Sequence, residues 1–194
     1  MIYLTGVPGS GKTTATSYLE SIFDHLKVIR YGEVIQEKLE ARNEGLEYSE
    51  LRNLSSSVVS ETDLVEVDQV VYNRVQELRL DNDVIIESHG VTREDYGFRV
   101  TPFKSSVDFL QLSIHCVVYI SSNSDMILER VAKDGGGRKV VNFDQLELNK
   151  RTQESLALIY ASSSGCPLYI IENNDSYTSF IDRLKLTFSK ILNR

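Results

Sequence analysis

Residues 1–14 read MIYLTGVPGSGKTT, an apolar run, a glycine-rich turn and then a lysine followed by two threonines. Met1 to Thr5 has the length and composition of a buried strand. Beyond the turn, Ala15, Tyr18, Leu19, Ile22 and Phe23 recur at helical spacing, which predicts a helix from Lys12 to about His25. Gly6 to Thr13 fits the phosphate-binding pattern G-x-x-x-x-G-K-S/T in the context that pattern needs, after a strand and before a helix. Gly9 and Gly11 permit unusual backbone angles and the close approach of a phosphate; Gly6 opens the run. The loop amides and the first turn of the helix form a positive cradle. Lys12 is placed to reach β- and γ-phosphates, and the Thr13 hydroxyl to meet Mg²⁺. Pro8, Ser10 and Thr14 complete a run predicted to hold ATP.

Working outward, short apolar strands alternate with amphipathic helices. Strands are predicted at 27–30, 84–86, 115–121 and 167–171, with helices opening near Gly32 and spanning 64–80, 124–132, 143–162 and 176–192. Residues 43–57 are polar and turn-rich, and 88–108, with Gly90, Gly97 and Pro102, read as irregular. Alternation of this kind implies an α/β fold: a five-stranded parallel sheet with helices on both faces. Ligands of such sheets gather at the carboxyl ends of the strands. Gly6, Gly32, Glu87, Ser121 and Glu172 mark those ends and are expected to share one site.

The chain of 194 residues, 41% hydrophobic and 25% charged, suits one compact domain over 1–194. A net charge of −7 argues against nucleic acid held by a broad basic surface, but not against phosphates held by a few focused cations. No apolar run approaches the ~18 residues of a membrane span. The first residues run straight into the motif without a basic leader, so a cytoplasmic location is expected. Cys116 and Cys166 have no metal-ligand spacing and read as two buried small apolar residues in a reducing compartment.

Two further stretches carry chemistry. The strand ending at Glu87 is otherwise apolar, so Glu87 is a candidate Walker-B-like acid, able to serve Mg²⁺ or to accept a proton. His89 stands two residues on, beside Gly90, and joins it as a candidate. Gly135-Gly-Gly-Arg138 places a cation after a glycine hinge, with Arg130 and Arg151 on the flanking helices. Its closure is expected to carry Arg138 onto transferring phosphates and to exclude water.

Taken together these residues resemble the archaeal-type adenylate kinases. The resemblance runs through TGVPGSGKTT at 5–14, Tyr31-Gly-Glu-Val, Leu51-Arg-Asn-Leu54, VIIESHG at 84–90, Gly97-Phe98, SSNSDMILERV at 121–131, Arg138 and YIIENND at 169–175. It implies an acceptor-binding segment near 31–60, opened by Gly32, and a short lid near 134–142. Lys12 and Thr13 match the phosphate and Mg²⁺ positions. Arg138 and Arg151 look like lid arginines, and Arg52 like an arginine for the acceptor phosphate. His89 matches the histidine after the Walker-B strand, Asn173 the loop near adenine, and Gly97-Phe98 belongs to the acceptor side. There are departures: Glu87 stands where the archaeal enzymes look to have Asp, and Gln36 where long adenylate kinases carry an arginine.

The expected activity is phosphoryl transfer from Mg-ATP to a small-molecule acceptor, a nucleoside monophosphate and most of all AMP. Two rivals remain open. One is a kinase of another hydroxyl acceptor, with Glu87 or His89 as general base. The other is a partner-dependent ATPase or assembly factor. The sequence leaves oligomeric state open.

Overall fold

The computed structural model describes residues 1–41, 59–94, 97–101, 103, 112–133 and 142–192. Seven strands and six helices are assigned among them. They run β1 (Ile2–Thr5), α1 (Lys12–Ile22), β2 (Leu26–Arg30), α2 (Tyr31–Glu40), α3 (Glu61–Leu78), β3 (Asp83–Glu87), β4 (Val91–Glu94), β5 (Gly97–Val100), β6 (Cys116–Ser121), α4 (Ser124–Lys133), α5 (Phe143–Ser163), β7 (Leu168–Glu172) and α6 (Tyr177–Leu192).

Five strands form one parallel sheet in the order β2-β3-β1-β6-β7. Side chains along a strand alternate between faces, so each strand divides its residues between two cores. Tyr3, Ile29, Val84, Ile86, Val117 and Tyr119 face α2, α3 and α5. Ile2, Leu4, Ile85, Val118 and Ile120 face α1 and α6, against Leu19, Phe180 and Phe188. Both faces are covered, which is why β1, β3 and β6 are nearly continuous apolar runs rather than alternating ones. The chain passes from β3 on one side of β1 to β6 on the other. That crossing leaves a crevice over the carboxyl end of β1, where Gly6 begins.

The predicted parallel α/β sheet is therefore present, with small differences at element ends. Helix α3 starts at Glu61, three residues before the apolar periodicity begins. Ser60 and Asp63 form a capping box there, each side chain bonding the other's backbone N–H. Asn142 and Gln145 start α5 in the same way. Helix α1 stops at Ile22 because Phe23 turns extended and its carbonyl accepts from Leu26.

One expectation is corrected. The stretch read as irregular contains an antiparallel hairpin, with β4 paired to β5 through Thr92↔Arg99 and Arg93↔Phe98. Only its base is buried, at Val91 and Thr101, so its faces carry little of the apolar alternation that betrays a strand. Among the described residues no helix is long and apolar enough to cross a membrane.

Candidate functional site

Strand β1 delivers the chain into the loop Gly6–Gly11 at the centre of the sheet. Gly11, the N-cap of α1, sits at φ 100° and Gly6 at φ 152°. A Cβ on Gly6 would stand 2.6 Å from the Ile120 carbonyl oxygen, so the loop crosses β6 too closely for any side chain. The Ser10 amide donates to the Val7 carbonyl at 3.2 Å and tightens the turn. The ammonium of Lys12, only 5% exposed, donates to the carbonyls of Gly6 at 2.7 Å and Val7 at 3.0 Å. The Ser10 hydroxyl is buried without a hydrogen-bond partner. An orphaned donor beside a glycine turn, an adjacent ammonium and a helix N-terminus suit the oxygens of a phosphate chain.

Glu87, at the end of β3, faces this loop and is buried. Thr13 Oγ1 donates to its Oε1 at 2.8 Å and Thr16 Oγ1 to its Oε2 at 2.6 Å. Arg30 pairs with Glu87 in the β2–β3 register, and its Nε lies 3.6 Å from Oε2. The same guanidinium bonds Glu20 at 2.7 Å. A carboxylate and a hydroxyl are the hard oxygen donors Mg²⁺ takes. Among the described residues no group of three or more His, Cys, Asp or Glu could hold a metal alone. An ion here would complete its shell with phosphate and water oxygens, as Mg²⁺ commonly does.

His89 is exposed, but its Nδ1 lies 3.1 Å from the Gly6 carbonyl. A carbonyl only accepts, so Nδ1 carries a proton in that contact. The next two residues are held from below by Gln153 of α5, which has no exposed surface. Its Oε1 accepts from the Gly90 amide at 3.1 Å and its Nε2 donates to the Val91 carbonyl at 3.4 Å. Gly90 in turn accepts from Thr101, closing the hairpin base. Arg99 of β5 donates to the Val59 carbonyl at 2.9 Å, just before α3. The hairpin thus bridges α5 and the start of α3.

Asn173, after β7, reaches across the loop and donates from Nδ2 to the Ser10 carbonyl at 2.8 Å. Arg130 of α4 supports it, donating to the Asn173 carbonyl and Oδ1, both at 3.2 Å, and to Ser122 Oγ at 3.1 Å. Its Nη1 also donates to the Gly9 carbonyl at 3.4 Å. The sequence offered Arg130 only as a neighbour of the glycine triplet. The structure makes it a brace for the loop. Arg151 is exposed on α5, one position after Lys150, which bonds Ser124 at 2.9 Å and Glu147 at 3.0 Å and so ties α5 to α4. Arg138 and the rest of the predicted lid at 134–141 lie outside the described residues, as does Arg52.

In the segment predicted to bind the acceptor, Tyr31 opens α2 and donates to Asp68 Oδ1 at 2.7 Å. Asp68 also accepts from the Phe103 amide at 3.1 Å. Phe103 adopts φ 55°, rare for a residue with a side chain, and meets the Tyr31 ring edge-on at 6.3 Å. Burial, reinforced by Asp68, pushes the Tyr31 phenol far above its ordinary pKa. Gly32 is exposed, with open space where a Cβ would be. Gln36 turns along α2 to bond Glu40 at 2.7 Å. Gly97 and Phe98 open β5 and are half-buried. Sequence reasoning passed over Thr16, Arg30, Asp68 and Gln153. Each is a polar side chain on a helix or at a strand end, and only its partners give it meaning.

The family described as the AAA domain matches residues 5–147. The adenylate kinase of Methanothermobacter thermautotrophicus is 22% identical over 187 residues, covering 95% of this chain and 97% of that protein. The adenylate kinase of Methanopyrus kandleri is 26% identical over 181 residues, covering 90% of each. A solved shikimate kinase from Acinetobacter baumannii, in complex with shikimate, shares the fold at a TM-score of 0.56 and 19% identity, covering 99% of this chain and 92% of that one. The protein is a nucleotide-binding P-loop phosphotransferase. It belongs to the AAA domain family and is similar, at low identity, to archaeal adenylate kinases.

Proposed function

We propose that the protein transfers the γ-phosphoryl group of Mg-ATP to a nucleoside monophosphate, with AMP the favoured acceptor. The observation that carries this reading is similarity to archaeal adenylate kinases along almost the whole chain. Loop amides and Lys12 would hold the β- and γ-phosphates, with Gly6, Pro8, Gly9, Ser10, Gly11, Thr13 and Thr14 lining the run and Asn173 beside the base. Mg²⁺, when bound, neutralises charge on the phosphate oxygens, and Thr13 and Glu87 are the residues to hold it. Arg138 and Arg151 would neutralise the transferring group. Gly32, Arg52, His89, Gly97 and Phe98 would frame the acceptor. An oxygen of the acceptor phosphate attacks the γ-phosphorus, the bond to the bridging oxygen of the β-phosphate breaks, and ADP leaves. That nucleophile needs no general base, so positioning and charge neutralisation do the work. Cys116 and Cys166, which are not joined in a disulfide, fit a cytoplasmic setting.

A second reading keeps the donor side and changes the acceptor to a hydroxyl. It is favoured by Gln36, an uncharged residue bonded along its own helix at a position where long adenylate kinases carry an arginine. In that reading His89 or Glu87 would take the hydroxyl proton.

One assay separates them. Purified protein with Mg-ATP is given a panel of nucleoside monophosphates and, separately, small polyols and nucleosides. Selective conversion of AMP to ADP is the expected result. Turnover only with hydroxyl acceptors would replace this reading with the second. ATP binding without transfer to either group would point to a partner-dependent ATPase.

A further inference from the structure

Glu87 lies between two kinds of partner. Its Oε1 takes one hydrogen bond, from Thr13. Its Oε2 is gripped by Thr16 at 2.6 Å and flanked by the Arg30 guanidinium at 3.6 Å. Thr16 is fully buried and has a single hydroxyl proton. The Thr13 carbonyl is also within reach of that hydroxyl, at 3.2 Å, but the shorter, charge-assisted contact to Glu87 holds the proton. Thr13 and Thr16 are one turn apart on α1 and present both hydroxyls on one face of the helix. Arg30 approaches from the neighbouring strand, itself fixed by Glu20 and by Ser17 at 3.3 Å.

We propose that Thr16 and Arg30 are positioning residues for the magnesium site, acting through Glu87 on Thr13. By immobilising Oε2 they hold Oε1 in place to accept the Thr13 proton. The lone pairs of the Thr13 oxygen are then left for the metal ion, rather than spent on a neighbouring donor. Removing a side chain that orients a metal ligand in this way typically costs about 10–100-fold in metal affinity. The inference rests on the Mg-ATP reading above, and it assigns the two residues no contact with nucleotide.

The test is a binding measurement without turnover. A fluorescent ATP analogue is titrated in EDTA and then at fixed concentration against Mg²⁺, for wild type, Thr16→Val, Thr16→Ser and Arg30→Gln. Thr16→Val should raise the Mg²⁺ half-saturation about 10-fold or more. Its metal-free nucleotide affinity should stay within about 2-fold of wild type, and Thr16→Ser should restore the metal response. Arg30→Gln, a substitution at a part-exposed site, should shift the Mg²⁺ curve in the same direction without disturbing the core. Unshifted Mg²⁺ curves in both Thr16→Val and Arg30→Gln overturn the inference, as does an equal loss of metal-free binding. A wild-type protein whose nucleotide binding ignores Mg²⁺ would instead overturn the Mg-ATP reading beneath it.

Discussion

The side-chain nitrogen of Asn173 occupies the space that Gly11 leaves open: a Cβ on Gly11 would stand 2.4 Å from it. The same nitrogen donates to the carbonyl of Ser10, so one amide both fills the gap and pins the loop. Gly11→Ala therefore meets two penalties, a collision and a left-handed backbone at φ 100°. The second alone costs about 1–2 kcal/mol. The expected outcome is a lower Tm and loss of nucleotide binding, read by thermal melts and by a fluorescent nucleotide. Adding Asn173→Ala should recover part of the stability, because it removes the collision and leaves the strain.

Lys12→Ala should lower phosphotransfer by about 10²–10³-fold or more, in the range found when one preorganised charge-stabilising donor is removed. Its hydrogen bonds to Gly6 and Val7 go to loop carbonyls rather than to strands of the sheet, so the circular dichroism spectrum should match wild type. Turnover near the wild-type rate would remove Lys12 from the phosphate site.

Asp68 joins α3 to Tyr31 and to the Phe103 amide. Asp68→Ala leaves both donors without this acceptor, at a cost of about 1–3 kcal/mol for each buried group left unsatisfied. Urea denaturation should record that loss. Steady-state kinetics should show a raised KM for the acceptor with the KM for ATP little changed, because these contacts lie on the α2–α3 side. A change confined to ATP would contradict the assignment of residues 31–60 to the acceptor.

Of the ten tyrosines, Tyr3, Tyr31, Tyr119 and Tyr160 have phenols whose pKa is raised, first by burial. In the unfolded chain these groups ionise near pH 10. Above that pH the unfolded state binds fewer protons than the folded one, so stability falls as pH rises. The stabilising effect is complete below about pH 10. Alkaline titration should show tyrosinate absorbance rising in two parts, the second coinciding with loss of helical signal. A single smooth rise with the fold intact would show these phenols to be more accessible than their burial implies.

Much of the loop from Gly6 to Thr13 and its setting was legible in the sequence, because glycine spacing, a following lysine and threonine, and apolar strands leave marks that one chain can reveal. The five strands and the place of Glu87 followed from the same pattern. The hairpin β4–β5 did not, since half-exposed strands with Thr92, Arg93 and Arg99 on them lack an apolar rhythm. Arg130 and Gln153 were hidden for a different reason. A polar residue on an amphipathic helix looks solvated until the fold brings a loop carbonyl or a hairpin amide against it. Asn173 was reached only through resemblance, and no local pattern announces that it will cross to Ser10.

The hydrogen bonds of Lys12 to Gly6 and Val7 bear on what the resting protein ignores. Its ammonium is already solvated by two carbonyls, and displacing a charged hydrogen bond costs about 1.5–3 kcal/mol. A lone orthophosphate offers few contacts in exchange. A nucleoside triphosphate offers a chain of oxygens to the whole loop. The loop is thus not a general anion trap, and in a phosphate-rich medium it stays open to the one class of ligand long enough to draw Lys12 away.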